Sequence, residues 1–202
     1  IPCETTGNQW ALRALETSGD TGHAPALVYD AAGHAHVVFS NAAGHLAYTT
    51  DASGEWSTRI LATSGVQSGS WDLDLDPSGD LHVVYFGPAL AYVHVGSEAI
   101  EVVDLPAATP TYRPSIVVDA VGVHIAYADY DSGGFGEPSG GVRLLSNATG
   151  SWVDESVFEL AGEQDLAEGT DGSLHLVISE GNAIWETRLV DGEAVVFTEI
   201  AN

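Results

Sequence analysis

Three carboxylates stand at positions where similar segments of the chain carry small or apolar residues. Asp72 and Asp74 interrupt the apolar run that begins at Trp71, and Asp165 occupies a matching position near the end of the chain. Carboxylates that lie close together and partly buried are costly unless a cation neutralises them. Oxygen ligands of this kind suit Ca²⁺. The pattern predicts a calcium site at Asp72, Asp74 and Asp165, with a wet tunnel lined by the same carboxylates as the alternative.

Histidine recurs at one position in each of four similar segments, at intervals of roughly 40–50 residues. A turn precedes each histidine, and in the first three segments that turn begins with aspartate. A residue kept at the same place in every repeat usually serves the repeat itself. The pattern therefore predicts an Asp–His or backbone hydrogen bond in each segment rather than a ring of metal ligands. These histidines are His36, His82, His124 and His175.

A second metal hypothesis rests on the first segment alone. His34 and His36 are two residues apart on a predicted strand, so their side chains point to the same face. With His45 they form a nitrogen-rich set that copper or zinc prefers. Copper or zinc at these three histidines is therefore the alternative to calcium at the carboxylates.

All of these residues belong to a repeated pattern of strands and turns. Each segment contains β-branched and aromatic runs of strand length, separated by turns with glycine, and none has a convincing helical period. Four antiparallel strands repeated at this interval are typical of a β-propeller blade. The sequence predicts a single all-β domain, 1–202, built as a β-propeller of four four-stranded antiparallel blade repeats. The repeats fall at about 25–62, 70–105, 114–157 and 163–200.

An extra N-terminal strand is expected at about 9–16, where the sequence includes the run WALRALE. This strand is surplus, because the four repeats already contain their own outer strands. The surplus leaves open whether four blades close alone or pair with a second chain in an eight-bladed ring. Cys3 is the only cysteine, so it cannot form an internal disulfide and offers another route to a partner chain.

Two predicted turns between third and fourth strands carry a recognisable sequence. Residues 49–56 read TTDASGEW, and residues 145–152 read LSNATGSW. The first resembles the Asp-box of bacterial neuraminidase-type repeats, with its glycine one place late, and the second is a weaker copy with Asn147 in place of aspartate. The chain as a whole is similar to secreted bacterial β-propeller repeat proteins with Asp-box (BNR-like) repeats. This resemblance implies a fold and a secreted setting, but no activity, because the box is a structural turn in that family.

The enzymes that carry similar Asp-box repeats are sialidases, which bind the carboxylate of their substrate with a cluster of three arginines. Tyr112 and Arg113 are similar to the arginine motif that opens a sialidase. The remaining arginines fall in predicted third or outer strands, away from the axis, so we expect neither sialidase activity nor another enzymatic function. These arginines are Arg13, Arg59, Arg143 and Arg188.

A long insertion distinguishes the third repeat. Residues 129–141 separate its second and third strands, whereas the other repeats have only a few residues there. Long loops on a rigid scaffold are favoured places for binding, and chain direction puts this loop on the face where each first strand starts. Aromatic rings and carboxylates on one face suit a carbohydrate or another polar ligand. The predicted ligand-binding residues are Trp71, Tyr112, Arg113, Asp129, Tyr130, Asp131 and Phe135.

The charge of the chain excludes several classes of partner. Aspartate and glutamate number 29 against 5 lysines and arginines, which gives a net charge of −24 at pH 7. Such a field repels phosphate backbones, so we expect no nucleic acid as a partner. No apolar run approaches the length of about 18 residues that indicates a membrane span. The chain lacks methionine and begins at Ile1, which indicates processing and, with the acidic composition, favours a secreted, extracellular or periplasmic setting.

The sequence thus favours a non-enzymatic extracellular binding module, lectin-like or adhesive, that recognises a carbohydrate, another polar ligand or a protein on one propeller face. Two alternatives stay open. In the first, the chain is a structural subunit that assembles with itself or with another chain through its terminal β-strands. In the second, it is a secreted metal-binding protein, with calcium at the carboxylates or copper or zinc at the histidines.

Overall fold

Four antiparallel sheets of four strands each make up the described part of the chain, which contains no helix. The all-β architecture of four four-stranded blades is therefore confirmed. In the described residues no helix could cross a membrane. The computed structural model describes residues 14, 15, 17, 19–63, 66, 69–96, 100–105, 114–131, 139–159, 162–190 and 193–201.

Each sheet is one blade, and its strands follow one another in chain order from the inner to the outer edge. Blade 1 consists of β1 (His23–Tyr29), β2 (Ala35–Ser40), β3 (Leu46–Thr50) and β4 (Ser57–Ala62). Blade 2 consists of β5 (Trp71–Leu75), β6 (Leu81–Phe86), β7 (Leu90–Val95) and β8 (Ile100–Asp104). Blade 3 consists of β9 (Ser115–Val118), β10 (Val123–Asp131), β11 (Ser139–Ser146) and β12 (Val153–Phe158). Blade 4 consists of β13 (Glu163–Glu168), β14 (Leu174–Glu180), β15 (Ala183–Val190) and β16 (Glu193–Ala201).

Aspartate builds the turn between the first and second strands of a blade. In blade 1, Oδ1 of Asp30 accepts hydrogen bonds from the backbone amides of Ala32 and His34, at 2.9 and 2.8 Å. Gly33 has a φ of 87°, a left-handed conformation that glycine adopts without strain. Asp76 accepts the equivalent pair of bonds in blade 2. These turns fix where the second strand starts, and thereby place the repeated histidine at its second position.

The hydrophobic core lies between consecutive blades. Residues of a strand alternate between its two faces, so each sheet presents one apolar face to the previous blade and one to the next. In blade 2, Leu73 and Val83 pack against blade 1, while Val84 and Tyr92 pack against blade 3. A third cluster, which includes Leu144, joins blades 3 and 4. Three apolar layers therefore hold the four blades together.

The inner strands contact one another in sequence. Contacts run from β1 to β5, from β5 to β9 and from β9 to β13, and no comparable contact joins β13 to β1 in the described part of the chain. On the face of blade 1 turned away from blade 2, Leu27 is 52% exposed and Tyr29 62% exposed. The predicted extra strand at 9–16, apart from residues 14 and 15, and Cys3 lie outside the described residues. The prediction that a terminal strand or a second chain completes the ring therefore stays untested.

Candidate functional site

Two of the carboxylates predicted to bind metal connect neighbouring blades. Asp72 and Asp74 lie on β5, and their side chains reach blade 3. Oδ2 of Asp72 accepts a hydrogen bond from the backbone amide of Ile116 at 3.0 Å, and Oδ2 of Asp74 accepts one from Val118 at 2.8 Å. Both amides belong to β9, the edge strand of its sheet. The carboxylates therefore supply the acceptors that a further strand would provide at this edge.

Asp165 approaches the same place from blade 4. The Ser115 hydroxyl lies 2.9 Å from Oδ1 of Asp165 and 3.3 Å from Oδ2 of Asp72, so a side chain of blade 3 connects carboxylates of blades 2 and 4. The same Oγ accepts a hydrogen bond from the backbone amide of Leu166. Asp165 is exposed, whereas burial raises the pKa of Asp72 and that of Asp74 above the ordinary value.

The predicted calcium site at Asp72, Asp74 and Asp165 stays a prediction. Asp72 and Asp165 do approach a common point, as the sequence indicated. However, within the described ranges, no three histidine, cysteine, aspartate or glutamate side chains are grouped so that they could hold a metal ion. Amide and hydroxyl hydrogen bonds give these carboxylates a structural role that needs no cation.

The histidines of blade 1 also have protein partners. Nδ1 of His34 lies 2.8 Å from Oδ2 of Asp30, and Nδ1 of His36 lies 2.7 Å from the hydroxyl of Tyr48. His45 follows the next turn, where its backbone amide donates to a side-chain oxygen. The copper or zinc site predicted at His34, His36 and His45 is therefore not assembled as a three-histidine group in the described structure.

The predicted carbohydrate-binding face is only partly described. Tyr112, Arg113 and Phe135 lie outside the described residues. Trp71 requires a correction, because it is 0% exposed and its indole Nε1 donates a hydrogen bond of 3.0 Å to the carbonyl of Ala24. Its alternation with Leu73 on β5 places it in the core between blades 1 and 2. Trp71 therefore offers no surface on which a ligand could stack.

The remaining predicted ligand-binding residues lie at the end of β10. Asp129, Tyr130 and Asp131 pair with Gly141, Gly140 and Ser139 of β11, so the long insertion prolongs a hairpin. The side chain of Asp129 is half-buried. The side chains of Tyr130 and Asp131 lie outside the description, so their predicted role as ligand-binding residues stays untested.

The arginines of the described residues are separated from one another. Arg59 lies over an aromatic ring in blade 1, with its guanidinium carbon 5.5 Å from the ring centre. Arg143 pairs with Asp154 in blade 3 at 2.9 Å, and Arg188 pairs with Asp171 in blade 4 at 3.2 Å. Each arginine thus has its own partner, and the described ones do not form the triple cluster of a sialidase.

A tyrosine completes the histidine arrangement in blades 1 and 2. Nδ1 of His36 lies 2.7 Å from the Tyr48 hydroxyl, and Nδ1 of His82 lies 2.5 Å from the Tyr92 hydroxyl. On the other side of each ring, Nε2 lies 3.6 Å from the carboxylate of the turn aspartate. The repeat thus contains an Asp–His–Tyr arrangement. Sequence reasoning found the aspartate and the histidine but missed the tyrosine, which lies on the third strand.

Blade 4 replaces both partners of its histidine. Gly169 stands at the start of the turn, and Glu186 stands at the position of the tyrosine. Nδ1 of His175 lies 2.8 Å from Oε1 of Glu186, and Nε2 lies 2.9 Å from the Ser173 hydroxyl. Asp171 also accepts a hydrogen bond from this hydroxyl. A serine hydroxyl bonded to a histidine that a carboxylate orients is the arrangement that activates the serine as a nucleophile in acyl transfer.

Blade 3 retains the aspartate and the histidine but lacks the tyrosine. Leu144 stands at the tyrosine position, opposite Ala126. The side chain of His124 is 7% exposed, and its Nε2 lies 3.4 Å from Oδ2 of Asp119. Neither ring nitrogen of His124 makes a hydrogen bond with the described residues. Buried polar atoms are almost always bonded. Nε2 of His36, of His82 and of His94 also lacks a hydrogen bond, but His124 is the only described histidine with both ring nitrogens buried and without one.

An open cleft of about 440 Å³ adjoins this histidine, between blades 3 and 4. Its apolar lining includes Val121 and Val153, which are 66% and 40% exposed, together with the buried side chains of Leu144 and Leu174 from the two blades. Carboxylates and hydroxyls contribute the polar part of the lining. The polar residues that line the cleft with His124 are Asp119, Ser146, Thr149 and Glu155.

The rim of the cleft is held by a turn that the sequence analysis singled out. Oδ1 of Asn147 accepts a hydrogen bond of 2.8 Å from the backbone amide of Val123. A Cβ at Gly122 would lie 2.6 Å from that oxygen, so only glycine allows the two turns to approach this closely. Asp51 binds the amide of Ala35 in blade 1 in the same way, at 2.9 Å. These turns lie at the opposite strand ends from the long insertion, so the cleft is not on the face predicted from the sequence.

Comparison with known proteins supports the fold. The sequence matches no protein-family model and no curated protein. A protein of unknown function from Dyadobacter fermentans has a similar structure, with 11% identity, a TM-score of 0.63 and a match over 89% of this chain and 69% of that chain. A mutant of AofleA from Arthrobotrys oligospora gives 12% identity and a TM-score of 0.61 over 88% of this chain and 56% of that chain.

An α-L-arabinofuranosidase from Clostridium thermocellum is also similar, with 11% identity, a TM-score of 0.54 and a match over 88% of this chain and 72% of that chain. This enzyme is a β-propeller. At such identities the likeness concerns the fold alone. This chain spans little more than half, 56%, of the AofleA mutant chain.

Proposed function

We propose that this protein is a non-enzymatic binding module that takes a carbohydrate into the cleft between blades 3 and 4. The observation that carries this proposal is the cleft itself, which combines the exposed apolar side chains of Val121 and Val153 with polar side chains. Ligand sites in proteins are typically concave and mostly apolar, with a few polar groups that fix orientation. A sugar ring presents a C–H face and several hydroxyls, and both fit such a lining.

The charge of the lining narrows the ligand class. Asp119 and Glu155 line the cleft, and no arginine does so among the described residues. Carboxylates accept hydrogen bonds from hydroxyl and ammonium groups but repel other carboxylates. The proposed ligand is therefore a neutral sugar or an amino sugar rather than a uronic or sialic acid. The extracellular setting expected from the acidic composition remains part of this proposal.

Binding to soluble sugars tests the proposal directly. Amide spectra of isotopically labelled protein would be recorded while neutral hexoses, glucosamine and glucuronic acid are added separately to millimolar concentration. We expect a neutral or amino sugar to shift the amides of Ser146, Thr149 and Leu174, with little effect from the uronic acid. Glu199→Gln, at an exposed position of the outer strand β16, is the matched control and should bind like the wild type. The absence of binding by every sugar in the set would overturn the proposal.

A second candidate function is ester hydrolysis in blade 4. Ser173 Oγ would attack an ester carbonyl while its proton passes to Nε2 of His175, which Glu186 orients through Nδ1. The proton would then go to the departing alkoxide, and water would release the acyl group by the same route. The hydrogen bond from Ser173 to Asp171 opposes this proton transfer. Turnover of p-nitrophenyl acetate that is lost in Ser173→Ala and increased in Asp171→Asn would support hydrolysis, and equal rates in all three proteins would exclude it.

A further inference from the structure

Equivalent residues fill the three junctions between consecutive blades. On each inner strand, the residue three positions before the turn to the second strand faces the previous blade, and in blades 2, 3 and 4 it is 8%, 3% and 5% exposed. The residue two positions after the repeated histidine faces the next blade, and in blades 1, 2 and 3 it is 0% exposed. The first kind comprises Leu73, Ile116 and Leu166, and the second comprises Val38, Val84 and Ala126. Each junction therefore buries one residue of each kind.

The first and last blades carry the same residues on faces that have no neighbouring blade. Leu27 stands at the first of these positions in blade 1 and is 52% exposed, and Tyr29 on the same face is 62% exposed. Val177 stands at the second position in blade 4 and is only half-buried, with the exposed Asp165 opposite it on β13. Neither face meets another blade in the described part of the chain. Blade 1 thus offers one half of a junction, and blade 4 offers the other half.

A hydrogen bond from backbone to side chain also recurs at these junctions. Oδ2 of Asp72 accepts from the amide of Ile116 in the next blade at 3.0 Å, and Oγ of Ser115 accepts from the amide of Leu166 at 3.1 Å. In both pairs the acceptor lies four residues before its own turn, and the donor lies three residues before the turn of the next blade. Asp165 holds the acceptor position in blade 4, and its side chain is exposed. A further blade on this face would therefore bring its equivalent amide to a carboxylate that is already in place.

The N-terminal part of the chain approaches blade 1 at a different place. Leu15 lines a groove of about 180 Å³ together with Pro25 and Phe39. Leu27 and Tyr29 lie outside this groove, on the second half of β1. At each junction within the chain, an inner strand is covered by the inner strand of the preceding blade. Among the described inner strands β13 is the one that no later strand follows, so a second copy of the chain supplies the missing cover for β1.

We propose that two copies of this chain associate head to tail, with the free face of blade 4 in one copy packed against the free face of blade 1 in the other. Leu27 of one copy then lies against Val177 of the other, and the Leu27 amide donates to Asp165. Two such contacts close a ring of eight blades, the upper end of the usual range for β-propellers. The inference is independent of the proposed carbohydrate binding, because none of these three residues lines the cleft.

Sedimentation velocity of the full chain over a range of concentrations, without sugar, tests the association. A net charge of −24 makes the copies repel one another at low salt. The measurement is therefore made at about 0.15 M and about 1 M NaCl, between which the Debye length falls from about 8 Å to about 3 Å. We expect dimers whose fraction rises with protein concentration and with salt. A chain that stays monomeric at every concentration and at both salts would overturn the inference, whatever the outcome of sugar binding.

Two single variants each disable one of the free faces. Leu27→Glu places a carboxylate on the face of blade 1, and Ala167→Glu places one on the face of blade 4, at an exposed residue two positions after Asp165. Burial of an unpaired charge is costly, so each variant should weaken dimer formation about 10-fold or more. Ile100→Glu, at a 37% exposed position of the outer strand of blade 2, is the matched control and should associate like the wild type. A folded Leu27→Glu or Ala167→Glu protein with wild-type association would overturn the inference.

A mixture of the two variants tests the head-to-tail direction. Leu27→Glu retains an intact face on blade 4, and Ala167→Glu retains an intact face on blade 1. Neither variant should dimerise by itself, but the mixture should form dimers that contain one copy of each, through a single intact contact. A mixture that stays monomeric where the wild type dimerises would overturn the head-to-tail arrangement. Dimerisation of Ala167→Glu alone through two blade 1 faces would overturn it as well.

Discussion

The carboxylate of Asp74 accepts a hydrogen bond of 2.8 Å from the backbone amide of Val118 in the next blade. Val118 lies on β9, and among the described strands only β10 is hydrogen-bonded to it, so the second edge of β9 has no strand partner in that part of the chain. Asp72 bonds the amide of Ile116 two residues earlier. Two side chains at alternate positions of β5 therefore complete the hydrogen bonding of a sheet to which they do not belong.

Removal of the Asp74 side chain should weaken the junction between blades 2 and 3. Asp74→Ala leaves the amide of Val118 without an acceptor, and an unsatisfied buried donor costs about 1–3 kcal/mol. Asp74→Asn retains a carbonyl acceptor and should keep most of the stability. The free energy of unfolding from urea titrations at pH 7 measures both variants. Glu199→Gln serves as the exposed control, and an Asp74→Ala protein as stable as this control would contradict the assigned role.

The two carboxylates should also influence how stability varies with acidity. Burial raises the pKa of Asp72 and of Asp74 above the ordinary value of 3.8 in the folded protein. Their stabilising contribution is therefore fully present below pH 3.8 and is lost as the pH rises through the folded pKa. We compare the free energy of unfolding of the wild type with that of the Asp72→Asn/Asp74→Asn double variant. The wild type should have its largest advantage at low pH, and this advantage should become smaller as the pH rises toward neutrality. A difference that grows with pH would reverse this assignment.

The tyrosine hydroxyl in blade 2 should contribute measurably to stability. Tyr92→Phe keeps the ring that packs on Trp152 but removes the bond to Nδ1 of His82. We expect a loss of about 0.5–1.5 kcal/mol, the usual range for one hydrogen bond. Tyr29→Phe removes a hydroxyl from a 62% exposed side chain and is the matched control. Equal unfolding midpoints for the two variants would show that the His82–Tyr92 bond adds nothing.

His82 should make the protein sensitive to mild acid. Burial, aided by the adjacent His94, lowers the pKa of His82 below its ordinary value of 6.5. Because the folded pKa is depressed, the contribution of His82 is present above pH 6.5 and is lost as the pH falls toward the folded pKa. Thermal melts between pH 7.5 and 5 should show a decline that is reduced in His82→Gln. A resonance of His82 that titrates above 6.5 would contradict this expectation.

Calcium should have little effect on the melting temperature. Asp72 and Asp74 already accept amide hydrogen bonds, and the Ser115 hydroxyl lies between Asp72 and Asp165. Melting in excess EDTA and in millimolar CaCl₂ provides the comparison. A calcium-dependent rise in the wild type that disappears in Asp165→Asn would instead establish the carboxylates as a cation site.

The periodic features of the fold were predictable from the sequence. Asp30 and Gly33 stand at fixed positions before His36, and the same order recurs at Asp76 and Gly79. Such turns depend on local backbone chemistry, because aspartate accepts nearby amides and glycine adopts positive φ. Local rules of this kind suffice to count the blades and to place the second strand in each.

The contacts between blades were not predictable in the same way. Asp72 and the Ile116 amide are 44 positions apart, and only the packing of two sheets brings them together. The position of Trp71 at a strand start favours a ligand-binding role, whereas its alternation with Leu73 and Leu75 indicates the core position that the structure shows. Likewise, the loss of tyrosine at Leu144 becomes visible only when third strands are aligned by register, because the loops before them differ in length. Composition and residue spacing alone therefore do not predict the cleft between blades 3 and 4.

The inner strands of consecutive blades contact one another in the order β1, β5, β9 and β13, and this order has a thermodynamic consequence. Within the described residues, blades 2 and 3 have neighbours on both faces, whereas blades 1 and 4 each have a neighbour on one face. The described blades taken by themselves form a short linear array, and the stability of such an array is approximately a sum of unit and nearest-neighbour terms. Fraying from either end then requires the loss of one interface, while opening in the middle requires the loss of two. Backbone amides of β2 and β14 should consequently exchange with solvent deuterium sooner than those of β6 and β10.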